Sequence, residues 1–152
     1  MTDMELKIKA LSPRIGRDIP VPHFATPGAA AMDLCACVDG PVTLAAGERT
    51  LIPTGIAIAL PDPGYVALVF ARSGLGIKKG ICLSNGVGVI DSDYRGEIGV
   101  GLVNLSGVSY TIQPGDRIAQ LMVVPVVQPT VSLVDELDET ERGRGGFGST
   151  GR

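Results

Sequence analysis

Residues 81–104 read ICLSNGVGVIDSDYRGEIGVGLVN, and the fold turns on them. Two apolar runs, ICL at 81–83 and IGVGLVN at 98–104, flank a centre crowded with turn-forming residues. Asn85-Gly86 between extended segments is a strong hairpin signal, because both residues tolerate positive φ. Residues 81–89 are therefore expected to form a tight hairpin whose backbone amides and carbonyls are partly free. Asp91 follows the apolar pair Val89-Ile90, which anchors its carboxylate at a strand end. Asp91-Ser92-Asp93 is also common turn chemistry, and that reading stays open for either acid alone.

Working outward, the same extended pattern recurs. LKIKALS at 5–11 alternates polar and apolar side chains, as an edge strand does. Residues 12–30 are a loop rich in Pro and Gly, and AAAMDLCA at 29–36 reads as a strand. RTLIP and GIAIALP follow with period two, placing Ile56, Ile58 and Leu60 on one face and Ala57 and Ala59 on the other. YVALVFA at 65–71 and RIAQLMVVPVV at 117–127 are longer strands. PDPG at 61–64 suits a type II turn, and QPGD at 113–116 repeats the Pro-Gly pair. Helical period is nearly absent; SGLGIKKG at 73–80 is the one stretch suited to a short helical turn. Many short strands punctuated by turns specify an all-β fold, a jelly-roll-like barrel or sandwich. After Val134 the character changes. DELDETERGRGGFGSTGR has almost no apolar side chain apart from Leu137 and Phe147. Residues 1–134 are thus expected to form the β domain and 135–152 a flexible Gly-rich arm.

Composition narrows the function classes. A chain of 152 residues is one domain by length and large enough to bury roughly 70% of its unfolded surface. Trp is absent and aromatics are few, so Val, Ile, Leu and Ala must build the core. The net charge of −3 and the lack of a basic stripe argue against a duplex-DNA binder. No apolar run approaches membrane length and MTDMELKIKAL has no signal-like apolar core, so a cytoplasmic protein is expected. Cys35, Cys37 and Cys82 cannot all pair, and Cys-x-Cys alone lacks a second ligand pair for zinc, so reduced thiols are expected. His23, the single histidine, lies in the Pro-flanked loop VPHFATPG. If the chain is a hydrolase, its proton acceptor is then a carboxylate.

Several positions carry candidate chemistry. Asp33 sits inside the apolar run Met32–Leu34, where an acid is costly unless it is paired, hydrogen-bonded or turned to solvent. Arg72-Ser73-Gly74 ends a long strand and opens the helical turn. Free amides, a hydroxyl and a guanidinium there suit an anion, although Ser73 as a plain N-cap accounts for part of the pattern. In the arm, Gly143, Gly145 and Gly148 satisfy G-x-G-x-x-G. Too few residues follow for a dinucleotide-binding helix, and a phosphate loop would need a lysine that is absent. What remains is a run of backbone N–H groups able to wrap an anion, hydroxyls on Ser149 and Thr150, and an unpartnered ring on Phe147 suited to stacking on a planar ligand. A disordered tail is the plainer alternative for the arm taken alone.

Five segments in order, AAAMDLCA, ARSGLGIKKG, NGVGVIDSDYRGE, RIAQLMV and RGRGGFGSTG, resemble the five motifs of the homotrimeric dUTP pyrophosphatases (dUTPases). The resemblance spans nearly the whole chain. It departs from the family pattern at Ala31, where Gly is usual, and at Ala71, where Pro is usual; both are scaffold positions. It implies an enzyme that splits dUTP into dUMP and pyrophosphate with Mg²⁺, keeping uracil out of DNA and supplying dUMP for dTMP synthesis. It implies that Asp91 activates the water that attacks the α-phosphorus. Asn85 and the backbone of Gly88, Val89 and Ile90 would read uracil, with Tyr94 beneath the deoxyribose. Arg72, Ser73, Gly74 and Gln120 would contact phosphates, and Asp33 would hold Mg²⁺ through its water shell. Arg142, Phe147, Gly148, Ser149 and Thr150 would close over the nucleotide. The partners implied are dUTP and two further copies sharing each site, with no membrane or nucleic acid. A dCTP deaminase-like enzyme is disfavoured by RGRGGFGSTG, and a non-catalytic nucleotide-sensing module by the intact set of Asn85, Asp91 and Tyr94.

Overall fold

The computed structural model describes residues 4–151; Met1–Asp3, read above as part of the β domain, and Arg152, read as part of the arm, lie outside the described residues. Eleven short strands and one helical turn account for its regular structure. In chain order they are β1 (Lys7–Ala10), β2 (Met32–Cys35), β3 (Val42–Leu44), β4 (Arg49–Pro53), β5 (Ile56–Ala59), β6 (Tyr65–Phe70), the turn Gly74–Lys78, β7 (Ile81–Leu83), β8 (Gly88–Ile90), β9 (Gly99–Asn104), β10 (Tyr110–Ile112) and β11 (Arg117–Pro125). The strands form four open antiparallel sheets, ordered β2-β11-β6-β8, β4-β9-β7, β1-β5 and β10-β3. The expected jelly-roll-like fold is therefore a sandwich of sheets around one core, and none of the four closes into a barrel. No helix among the described residues is long and apolar enough to cross a membrane.

Alternation along the strands builds the core. In the four-stranded sheet, Met32, Leu34, Val69, Ala119 and Leu121 point inward, while Asp33, Phe70 and Gln120 stand on the outer face. Ile52, Val100, Leu102, Ile81 and Leu83 supply the inner face of the three-stranded sheet, and all join a single apolar cluster. Side chains of this size contribute about 1.5–3 kcal/mol each when fully buried. On β5, Ala57 is buried as fully as Ile56 and Ile58, so both faces of this strand are covered.

Two turn expectations are corrected. The Pro-Gly pair at 113–116 behaves as expected, with Gly115 at φ +85 and Asp116 N–H donating to the Gln113 carbonyl at 3.1 Å. At 61–64, Gly64 is not among the residues with positive φ, so this is not a type II turn. The Asp62 side chain instead accepts the Gly64 N–H at 2.7 Å and sets a local Asx geometry.

The second correction concerns 81–89. β7 and β8 do not pair with each other: β7 pairs with β9, and β8 pairs with β6 in a different sheet. Asn85 keeps a negative φ and Gly86 alone turns left-handed, at φ +76. A two-residue hairpin needs positive φ at both central positions in a type I′ turn or at the first in a type II′ turn, and Asn85 supplies neither. Instead Ser84 N–H continues the β7–β9 ladder to the Gly101 carbonyl at 2.9 Å, and the chain then crosses from one sheet to the next. The core explains this choice. Leu83 and Ile90 both bury their side chains, and each does so through its own sheet.

Candidate active site

The sequence-predicted residues fall into three groups in a single chain. The first is polar and lies on the outer face of the four-stranded sheet. Register places Gln120 beside both Asp33 and Phe70. The Arg72 Nε donates to Asp33 Oδ1 at 2.8 Å, and Arg117 Nη1 lies 3.5 Å from Asp33 Oδ2. Asp33 is therefore not a lone acid: it stands partly exposed on the outer face, and two cations from adjoining segments pair with it. Gln120 Nε2 donates to the Ala71 carbonyl at 2.9 Å, which fixes the backbone just ahead of Arg72. Ser73 makes no side-chain cap to the helical turn, so the capping alternative falls away. Cys35, beside Asp33 on β2, has its thiol pushed up by burial first and by the Asp33 charge second. It stays protonated near neutral pH and is not a nucleophile.

The second group gathers where β8 meets the three-stranded sheet. Asn85, Gly88, Val89, Ile90 and Tyr94 line one cavity of about 180 Å³, with Val69 and Leu83 among its apolar walls. Gly88 packs closely on its neighbour: a Cβ there would sit 3.1 Å from Val69 Cβ, and Val69 would have to shift. The sheet-to-sheet crossing explains the opening. A paired hairpin would have filled this space with its own ladder, whereas two diverging strands leave a cleft with an amide side chain and a phenol on its rim. Asp91 is not in that cavity. It lines a groove on the outer side with Tyr65, Ser92 and Asp93, and Val89 borders both spaces.

The third group is the arm. The last strand ends at Pro125, and no regular element follows it among the described residues. Among the described residues, the hydrogen bonds of 140–151 stay within that segment, including Arg142 Nε to the Gly145 carbonyl at 2.9 Å. Phe147 is fully exposed and has φ +48, the one positive φ outside glycine among the described residues. Gly148, Ser149 and Thr150 follow it, and among the described residues no backbone hydrogen bond joins them to the sheets.

These groups do not converge. Asp33 is three strands from β8 in the same sheet, roughly 14 Å at the usual strand spacing. Its face is the outer one, while the Asn85 cavity is floored by core-facing side chains. Sequence reasoning assigned no role to Arg117, Gly96 or Glu97. Arg117 reaches Asp33, and Glu97 lines the Asn85 cavity. Arg117 and Glu97 lie inside segments already singled out, but only the register and the folding-back of Tyr94 reveal what they touch.

Comparison with known proteins gives a consistent result. A family model described as dUTPase matches residues 17–151. A deoxyuridine 5'-triphosphate nucleotidohydrolase of Aeromonas hydrophila is 56% identical over 151 residues, covering 99% of this chain and 98% of that one. Among solved structures, a Staphylococcus bacteriophage 80alpha dUTPase with dUPNHPP superposes with a TM-score of 0.84 at 29% identity, covering 97% of this chain and 99% of that one. A mutant dUTPase from phage phi11 of S. aureus, described for the coordination of a structural Mg(II) ion, superposes with a TM-score of 0.77 at 25% identity, covering 89% and 99%.

Proposed function

Because the chain belongs to the dUTPase family, we propose that it hydrolyses dUTP to dUMP and pyrophosphate, with each active site assembled from several copies of the chain. The observation that carries this reading is the cavity bearing Asn85 and Tyr94, with Asp91 one strand-end away. An amide and free backbone groups at the rim suit the edge of uracil. The Tyr94 ring suits a deoxyribose face.

The chemistry follows from the residue types. A water oxygen forms a bond to the α-phosphorus as the bridging oxygen to the β-phosphate leaves with pyrophosphate. Asp91 accepts the proton of that water. Arg72, the amide and hydroxyl of Ser73, Gly74 and Gln120 hold the phosphate chain, since phosphoryl transfer is mainly positioning and charge neutralisation. Arg142, Phe147, Gly148, Ser149 and Thr150 cover the nucleotide and exclude other water.

Mg²⁺ fits the donor set as an ion carried largely by the substrate. No cluster of three or more His, Cys, Asp or Glu among the described residues forms a dedicated cage. Mg²⁺ commonly keeps its waters and takes phosphate oxygens with few carboxylates. Asp33 would hold that water shell, its position set by Arg72. When bound, the ion supplies neutralisation of the triphosphate charge.

A homotrimer is supported by the separation of the three groups within one chain. It is also supported by exposed Leu51, Leu105 and Val108, apolar surface that another copy can cover. Residues 135–151 serve in this reading as a mobile arm, and the protein works in the cytoplasm. The test is pyrophosphate release from a panel of dUTP, dTTP, dCTP and UTP, with mass by light scattering at micromolar concentration. Rapid release from dUTP alone and a trimeric mass are expected. Preference for dCTP, or a monomeric mass with full activity, would overturn the reading.

A further inference from the structure

We infer that Glu97 and Gly96 are positioning residues that hold the Tyr94 ring as the wall of the sugar subsite and thereby set selection against ribonucleotides. This rests on the reading of the Asn85–Tyr94 cavity as the site of the base and sugar.

Tyr94 is half exposed, so burial does not fix its ring. Two local features do. The phenol donates to the Glu97 carbonyl at 3.0 Å, folding the side chain back over the loop between β8 and β9. The ring then lies on the backbone of Gly96, where a Cβ would come within 2.6 Å of Tyr94 Cζ. Any other residue at 96 would push the ring away. The acceptor is itself held, because Glu97 Oε1 accepts the Gly55 N–H at 2.9 Å across 42 residues of chain. The carboxylate thus pins the backbone whose carbonyl receives the phenol.

The ring has a position worth holding. Tyr94 and Glu97 border both the 180 Å³ cavity with Asn85 and a second one of about 290 Å³ with Leu51, Pro53 and Gly99. The ring is the partition between them. Released, it would open the first cavity toward the second and make room for a 2′-hydroxyl. The Glu97 contact is separable from the fold, since the next residue is anchored independently. Thr54 Oγ1 and N–H both donate to the Ile98 carbonyl, at 2.6 and 3.2 Å, and Ile98 N–H donates to Ile56 at 2.9 Å.

The experiment measures kcat and KM for dUTP and UTP in the full-length protein and in Glu97→Ala, Glu97→Gln, Gly96→Ala and Tyr94→Phe, with melting curves for each. Glu97→Ala and Gly96→Ala should lower the dUTP-to-UTP ratio of kcat/KM on the order of tenfold or more, mainly through faster UTP hydrolysis. Glu97→Gln keeps an oxygen for the Gly55 amide and should restore the parental ratio. An unchanged ratio in folded Glu97→Ala and Gly96→Ala overturns the inference. Should either fail to fold, Tyr94→Phe decides: it removes only the tether, and an unchanged ratio there overturns the inference equally. A parent that releases no pyrophosphate from dUTP would instead sink the proposed function.

Discussion

Arg72 and Asp33 lie 39 residues apart in the chain and meet at 2.8 Å between Nε and Oδ1, both side chains partly exposed. An ion pair at that exposure contributes about 0–1 kcal/mol to stability. It does orient both groups: the guanidinium gives Nε to the acid and Nη1 to the Arg117 carbonyl at 3.4 Å, leaving Nη2 for an anion, and the carboxylate is held between Arg72 and Arg117. Asp33→Asn should therefore move the melting midpoint by no more than about 3 °C. Pyrophosphate release from dUTP should fall by about 10–100-fold, as when a group supporting a metal is lost. A large drop in melting temperature with proportionate loss of activity would assign the pair to folding instead.

Asp91→Asn should fold normally, since Asp91 is exposed at the end of β8 and none of its side-chain hydrogen bonds is found among the described residues. Loss of a general base costs about 10²–10⁴ in rate. Binding of a non-hydrolysable dUTP analogue, followed by calorimetry, should be nearly kept. Turnover close to the parent's would remove Asp91 from the mechanism.

Ending the chain at Thr140 should leave melting unchanged, because the hydrogen bonds of 140–151 remain within that segment. Ordering such a segment costs roughly 1–2 kcal/mol per residue, which only the ligand's contacts can offset. Turnover should drop steeply while nucleotide selectivity persists. A truncated protein that melts earlier would show that the arm braces the sheets.

Asn104→Ala should be the most damaging of these changes to stability. Asn104 is fully buried; its amide donates to the Leu44 and Val108 carbonyls, and its oxygen accepts the Ser106 N–H and hydroxyl. Stranding those groups costs about 2–3 kcal/mol. Chemical denaturation should show this as a lower midpoint with an unchanged slope. An effect below about 0.5 kcal/mol would mean that water or a neighbour replaces the side chain.

Much of the fold was legible because alternation is a local property. YVALVFA and RIAQLMVVPVV reveal their strands without reference to any partner. Pairing is not local, which is why Asn85-Gly86 misled: the dipeptide favours a hairpin, but burial of Leu83 and Ile90 in separate sheets outweighs that preference. The same limit hid Glu97, whose importance lies in Gly55, 42 residues upstream. Candidate site residues could be named from motif spacing and from the resemblance to the dUTPases. Their grouping into an outer face, a cleft and an arm could not, because it depends on which side of a sheet each strand presents.

The crossing at Asn85-Gly86 leaves β7 and β8 joined by chain but by no ladder. A planar base lodged between them would act as an inserted rung, tying the two sheets at the one crossing where no backbone ladder joins them. Amide hydrogen exchange would then slow together in β7 and β8 when nucleotide is added.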